Sequence, residues 1–388
     1  MISFSRLLLG ENYFGDSLRY AKEAKGHTRG TVRGRGPIVV WNCTKKCNLK
    51  CRHCYSSCTG PADSNEMTTK EALKFMDNLV EYKVPVLLFS GGEPLLRDDI
   101  FELMEYGKKI GLRMVISTNG TMIDKEVAKK IKDIGVSYVG ISLDGAKDIN
   151  DEFRGVKGAY DKAIEGMRNC FEVGQKTGLR LTLSKETAKE LPNIFKIIEE
   201  EKIPRVCFYH LVYSGRGLEI KNEDLTIEEK KSALDYIIEK TFEFQKKKLD
   251  LEILTVDNHC DGIYLYNYMK TQDEERAKDI LVLLKTNGGN RSGVAISSVD
   301  WNGNVYIDQF TRDISLGNVR EREFKDIWDG KENEFLTKLR DRKAYLKGRC
   351  KECKWLDLCN GNFRARALST GDFWNSDPAC YFSDEEII

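Results

Sequence analysis

Six short apolar runs, each followed by a polar or amphipathic stretch, fill residues 38–215 of this 388-residue chain. They read IVVWNCT, VPVLLFSGG, LRMVISTNG, YVGISLDG, LRLTLSK and RVCFYHLVYSG. Between them, TTKEALKFMDNLVEYK, DDIFELMEYGKKIG and KEVAKKIKDIG carry helical spacing, with Thr or Asp near several starts and Gly near several ends. Successive βα units of this kind predict an α/β fold whose parallel sheet curls into a partial (β/α)6 TIM barrel. In such sheets chemistry collects beyond the carboxyl ends of the strands, where SGG, STNG and SLDG fall.

The first strand runs into CTKKCNLKCRHCYSSC, with Cys43, Cys47, Cys51, Cys54 and Cys58 inside sixteen residues. A disulfide knot is disfavoured. The apolar start MISFSRLLLG lacks the length, flanks and cleavage site of a signal peptide, and no run approaches the roughly 20 apolar residues of a membrane span. A cytoplasmic address is therefore expected, where thiols stay reduced and clustered cysteines mean metal or redox chemistry. Lys and Arg (62) nearly cancel Asp and Glu (61), and the net charge of +1 makes no electrostatic case for nucleic acid or an anionic membrane. Within the loop, Cys47, Cys51 and Cys54 form C-x3-C-x2-C, three thiolates that leave one iron of a four-iron cluster open. A fourth ligand from Cys43 or Cys58 would close the cluster, and zinc would also want four.

This pattern resembles the radical S-adenosylmethionine (radical SAM) family, whose signature is the C-x3-C-x2-C loop after the first strand of a partial barrel. His53 stands where that family has an aromatic-type residue, and Gly91, Gly92, Glu93 and Pro94 match its GGEP-type element. STNG and SLDG match positions that in many members hold the carboxylate and ribose of SAM. The resemblance covers residues 38–215. It implies that Cys47, Cys51 and Cys54 hold a SAM-binding 4Fe-4S cluster. It also implies that His53, Gly91, Gly92, Glu93, Ser117, Asn119, Ser142 and Asp144 contact SAM, and that reductive cleavage yields a 5'-deoxyadenosyl radical. His53 is expected to offer a backbone contact to adenine and no proton transfer. An open cluster also implies oxygen sensitivity.

Near the C-terminus, Cys350, Cys353, Cys359 and Cys380 read C-x2-C-x5-C-x20-C, a complete set for one ion or cluster, zinc included. The chain is similar to radical SAM members with a SPASM or twitch extension, which implies an auxiliary 4Fe-4S cluster here. Full SPASM members carry further cysteines before this block. GVAISSVDWNGNVYIDQF has none, so one auxiliary cluster is expected, two clusters in all. Cys170, Cys207 and Cys260 stand singly in apolar surroundings and read as buried core thiols; Cys43 and Cys58 are given no ligand role.

Over nearly its whole length the chain resembles the tetrapyrrole-modifying branch of that family: the 12,18-didecarboxysiroheme deacetylases of the alternative haem pathway and the haem d1 proteins. GDSLRY, GRGPIVVWNCTKKCNLKCRHCYS, TVDNHCDG, GGNRSG, GNVYIDQF and CNGNFRARALSTGDFWNSDPACY carry this likeness. It implies removal of acetate side chains from a siroheme-derived tetrapyrrole to give iron-coproporphyrin III, with a flavodoxin- or ferredoxin-type electron donor. Removal of propionates, as on the haem d1 route, and peptide maturation are the alternatives. A substrate with several carboxylates wants arginines, and Arg216, Arg291, Arg364 and Arg366 lie in loops that could line a cavity mouth. His259, in DNHCDG, could bind the tetrapyrrole iron or a propionate. The expected organisation is an extension over 1–36, the barrel over 37–220, a helical connection with a substrate-facing loop over 221–290, and an auxiliary-cluster domain over 291–388.

Overall fold

The computed structural model describes residues 1–13, 15–20, 36–330 and 332–388. Part of the expected N-terminal extension, residues 14 and 21–35, which include the first two residues of GRGPIVV, therefore lies outside the described residues. Among the described residues one sheet contains β1 (Ile2–Ser3), β2 (Ile38–Asn42), β3 (Leu87–Ser90), β4 (Met114–Thr118), β5 (Val139–Ser142) and β6 (Thr177–Leu183). It continues with β7 (Arg205–His210), β8 (Glu252–Val256), β9 (Ile296–Val299), β10 (Asn304–Tyr306) and β11 (Gly317–Asn318). The order is β1-β8-β7-β6-β5-β4-β3-β2-β9-β10-β11, an open sheet. Strands β2 to β8 run parallel to one another, and β9 pairs parallel with β2, Val39 opposite Ser297.

The six expected strands are β2 to β7, as a partial barrel requires. The sheet does not stop where the sequence rhythm changes at residue 220. LEILTV supplies β8, which pairs with β7, and β9 continues the other edge, so the expected boundaries at 220 and 290 do not fall at sheet edges. The N-terminal residues join the sheet as well, β1 pairing antiparallel with β8. The Asn302-Gly303 turn joins β9 to β10 as a hairpin, with Gly303 at φ +87°.

Helices cover the outer face because each presents one apolar stripe. Helix Thr69–Glu81 starts at a Thr68–Glu71 capping box and buries Ala72, Phe75, Met76 and Leu79. Phe75 meets Trp41 of β2 edge to face at 5.5 Å. The long charged helix Ile227–Lys246 opens with a Thr226–Glu229 box and buries Leu234, Ile237, Ile238 and Phe244. No helix among the described residues is long and apolar enough to cross a membrane.

Candidate functional site

The loop after β2 is closed at its base by Cys47 and Gly60, each N–H donating to the other's carbonyl at 3.0 Å. Its middle leans on the end of helix Lys147–Arg154, with the N–H groups of Lys50 and Arg52 donating to the carbonyls of Arg154 and Phe153. The five thiols sort by burial. Cys43 and Cys58 are buried and point inward, the Cys43 thiol donating to the Ser90 carbonyl at 3.2 Å and Cys58 to the Ser56 carbonyl at 3.7 Å. Cys47, Cys51 and Cys54 are only partly buried. One turn thus presents three thiols and withholds two, which fits a cluster with one open iron. Burial pushes the free Cys47 thiol up to about 12, so a metal bound there would have to draw off its proton.

Gly91 and Gly92 carry the backbone after β3 against this loop. Gly91 has φ +144°, and a Cβ there would lie 2.5 Å from the Thr44 carbonyl oxygen; on Gly92 it would lie 2.2 Å from that of Lys46. The contact is sealed by the N–H of Gly92 donating to Thr44 and that of Glu93 to Lys46, at 2.7 and 2.8 Å. The glycines are needed for the loop itself. Glu93 is fully buried and accepts from the Thr118 hydroxyl at 2.7 Å and from the N–H groups of Asn119 and Leu95 at 2.8 and 3.1 Å. Burial pushes its carboxyl up to about 7 against the pull of those donors. Asn119 in turn donates to the Asn48 side chain at 2.9 Å, tying the end of β4 to the cysteine loop.

Asp144 departs from its expected contact with SAM. It is fully buried, accepts from the Thr182 N–H at 2.7 Å and is ion-paired with Arg154. Like Glu93, it braces strand ends and offers no exposed atom. Arg154, which the sequence reading passed over, also reaches the Cys51 sulfur at 3.6 Å. Its only signal along the chain was an arginine closing the helix that follows SLDG. Ser117 accepts from Arg180 at 2.5 Å inside the barrel, and Ser142 is half-buried at the end of β5. His53 stacks on Phe153, centroids 4.7 Å apart, with Nε2 3.9 Å from Asp144. Burial drives its pKa down to about 4, Asp144 opposing and Arg154 and Arg216 adding to it, so the imidazole is neutral. Arg216 holds the cysteine loop, donating to the carbonyls of Cys51 and Cys58 at 2.8 and 3.2 Å.

The second set of cysteines lines one cavity, Cys350, Cys353, Cys359 and Cys380 together with Cys260 and Asn362. Four thiols from a short loop and the chain end fit a fully ligated cluster. Cys260 is no isolated core thiol as its sequence setting predicts. It begins helix Cys260–Gln272, and its thiol approaches the Cys380 sulfur at 3.7 Å. The motif GGNRSG also belongs here. A Cβ on Gly289 would lie 2.3 Å from the Cys359 carbonyl carbon, and the Asn290 N–H donates to the Cys359 carbonyl at 3.0 Å.

Two expected substrate arginines are structural. Arg364 is fully buried and donates to the carbonyls of Phe373, Asn375 and Gly361. Arg366 is fully buried on Asp377, at 2.9 and 2.8 Å, and also binds the Leu211 and Asp257 carbonyls. In a dry interior backbone carbonyls and one carboxylate take up the terminal nitrogens of both guanidiniums, while Arg364 Nε has no partner among the described residues. Arg291 sits half-buried at a turn, where its carbonyl accepts from the N–H groups of Val294 and Ala295. His259 is buried, its N–H donates to Asn362 at 2.7 Å, and its Nδ1 has no partner. Burial holds its pKa well below the usual value, which keeps the ring neutral. Asp257 after β8 and Asp308 after β10 each have a buried, unpartnered carboxylate oxygen. Burial pushes Asp257 up to about 7, the charge of Asp308 contributing. Neither aspartate was singled out from sequence, although both lie in motifs, TVDNHCDG and GNVYIDQF, that were.

Residues 41–198 match the Radical SAM superfamily, and residues 294–354 match SPASM, an iron-sulfur cluster-binding domain. The chain is 50% identical to Fe-coproporphyrin III synthase of Methanosarcina barkeri, covering 100% of this chain and 99% of that protein. It is 38% identical to pre-heme d1 synthase of Dinoroseobacter shibae, covering 92% and 88%. Among solved structures, Streptococcus suis SuiB bound to S-adenosylmethionine superposes with a TM-score of 0.70 at 18% identity, covering 89% of this chain and 77% of that one.

Proposed function

Because the chain belongs to the radical SAM superfamily, in the branch with a SPASM iron-sulfur domain, we propose that it removes acetate side chains from 12,18-didecarboxysiroheme to give iron-coproporphyrin III. The observation that carries this reading is the end-to-end likeness, at 50% identity, to the Fe-coproporphyrin III synthase of Methanosarcina barkeri. As a family member the chain binds SAM and a 4Fe-4S cluster, and its SPASM domain binds a further iron-sulfur cluster. Cys47, Cys51 and Cys54 hold the first cluster, and Cys350, Cys353, Cys359 and Cys380 the second. Bound there, the first cluster supplies the electron for reductive cleavage of SAM, drawn from a flavodoxin- or ferredoxin-type donor.

The chain's own residues do the rest. Gly91 and Gly92 seat the cysteine loop, and Arg154 and Arg216 fix its position against the barrel mouth. His53 stays neutral and acts through its backbone and its stacking on Phe153. Asp257, raised to about 7, can donate a hydrogen bond from a neutral carboxyl to a substrate carboxylate, and the neutral His259 can bind a propionate or the tetrapyrrole iron. With Arg364 and Arg366 buried in the fold, these two groups and Asp308 keep free polar atoms for the substrate.

Anaerobically reconstituted, reduced protein given SAM and 12,18-didecarboxysiroheme is expected to form 5'-deoxyadenosine while the substrate loses two acetates and gains a porphyrin spectrum. Loss of propionates instead would move the protein to the haem d1 reaction. Deoxyadenosine with an unchanged tetrapyrrole would defeat the substrate reading and favour a peptide substrate.

A further inference from the structure

The second cysteine site contains one thiol more than a four-iron cluster needs. Cys260 does not come from the C-terminal block but from the loop after β8, and it is held there by a network of its own. Its N–H donates to the Asn258 side chain at 3.2 Å, and Asn362 Nδ2 donates both to that same oxygen at 2.8 Å and to the Cys260 sulfur at 3.5 Å. Asn258 Nδ2 reaches the carbonyl of Ala379, the residue before Cys380, at 3.3 Å. The helix that Cys260 begins is packed closely, for a Cβ on Gly262 would lie 2.5 Å from Leu284. Cys260 is therefore fixed in place.

Its sulfur lies 3.7 Å from that of Cys380, with the Cys260 thiol as donor. Thiolates bound to different irons of one cluster occupy separate corners and stand farther apart than a hydrogen bond allows. The distance is that of a donor and an acceptor. We infer that Cys260 is no cluster ligand but donates its S–H to the Cys380 thiolate, and so sets the reduction potential of the auxiliary cluster. This rests on the reading that Cys350, Cys353, Cys359 and Cys380 are the ligands. The reduced cluster carries one more negative charge than the oxidised one, so a donor aimed at a ligand sulfur stabilises the reduced form and raises the potential. Ile263, Leu356, Phe382 and Ile387 make much of the surrounding wall apolar, and a hydrogen bond beside such a wall is electrostatically stronger than in water.

The test uses the full chain with Cys47, Cys51 and Cys54 all changed to Ala, so that only the auxiliary cluster reports. Iron content is measured and the midpoint potential is titrated by electron paramagnetic resonance. Cys260→Ala is expected to keep the iron of its parent and to shift the midpoint to a more negative potential. Cys260→Ser, which retains an O–H donor, is expected to fall between the two, and it carries the test alone if the Ala variant does not fold. Cys380→Ala is expected to lose the cluster. An unchanged potential in Cys260→Ala with iron retained overturns the inference, as does loss of its iron. If Cys380→Ala also keeps its iron, the ligand reading fails as well.

Discussion

At the residue scale the three partly buried thiols and the two buried ones make opposite predictions. Cys51→Ala is expected to lose the first cluster and all 5'-deoxyadenosine formation, whereas Cys58→Ala, which removes a buried thiol turned on its own loop, keeps both; iron analysis and product assay check this pair. Glu93 offers a test by pH. Its carboxyl is raised to about 7, while an unfolded glutamate titrates at about 4.3. The folded chain thus holds a proton that the unfolded chain releases between those values, and the stability this contributes is lost as pH rises through about 7. Denaturant unfolding of the reconstituted protein is expected to show stability falling from about pH 5 to about pH 7, with a shallower fall in Glu93→Gln. C-x3-C-x2-C was legible because ligand spacing is local. The buried roles of Glu93 and Asp144 were not, since they depend on donors from β4, β6 and a helix that only the fold brings near.

At the element scale the site is a contact between the loop after β2 and the ends of β3 and β4. Gly92→Ala puts a methyl 2.2 Å from the Lys46 carbonyl oxygen, and a backbone atom cannot rotate aside. The expected outcome is loss of the first cluster with the auxiliary cluster retained, seen as a partial fall in iron and abolished SAM cleavage. The strands β2 to β7 were readable from their apolar runs, and the hairpin from Asn302-Gly303. The pairings of β1 with β8 and of β9 with β2 were not, because edge pairing is a long-range choice among strands of similar composition.

At the scale of the whole molecule the C-terminal block is tied to the barrel through Arg366, which joins Asp377 to the carbonyls of Leu211 and Asp257. Arg366→Met leaves the Asp377 charge buried without its partner and is expected to cost about 3–5 kcal/mol in a denaturant titration. A substrate arginine would instead raise KM and leave the unfolding midpoint unchanged. The sequence by itself determined the class of sheet, the two cysteine sets and the family, because each rests on spacing along the chain or on likeness of one chain to another. Tertiary structure alone decided which polar groups are spent on the fold and which stay free. Arg366 is consumed by carbonyls and a carboxylate, Arg364 spends its terminal nitrogens on carbonyls, Arg216 holds two carbonyls of the cysteine loop, Cys260 is brought to Cys380 across 120 residues, and Asp257, His259 and Asp308 keep unpaired atoms. The physical reason is that a donor's role is set by the acceptors within its reach, and those come from distant parts of the chain.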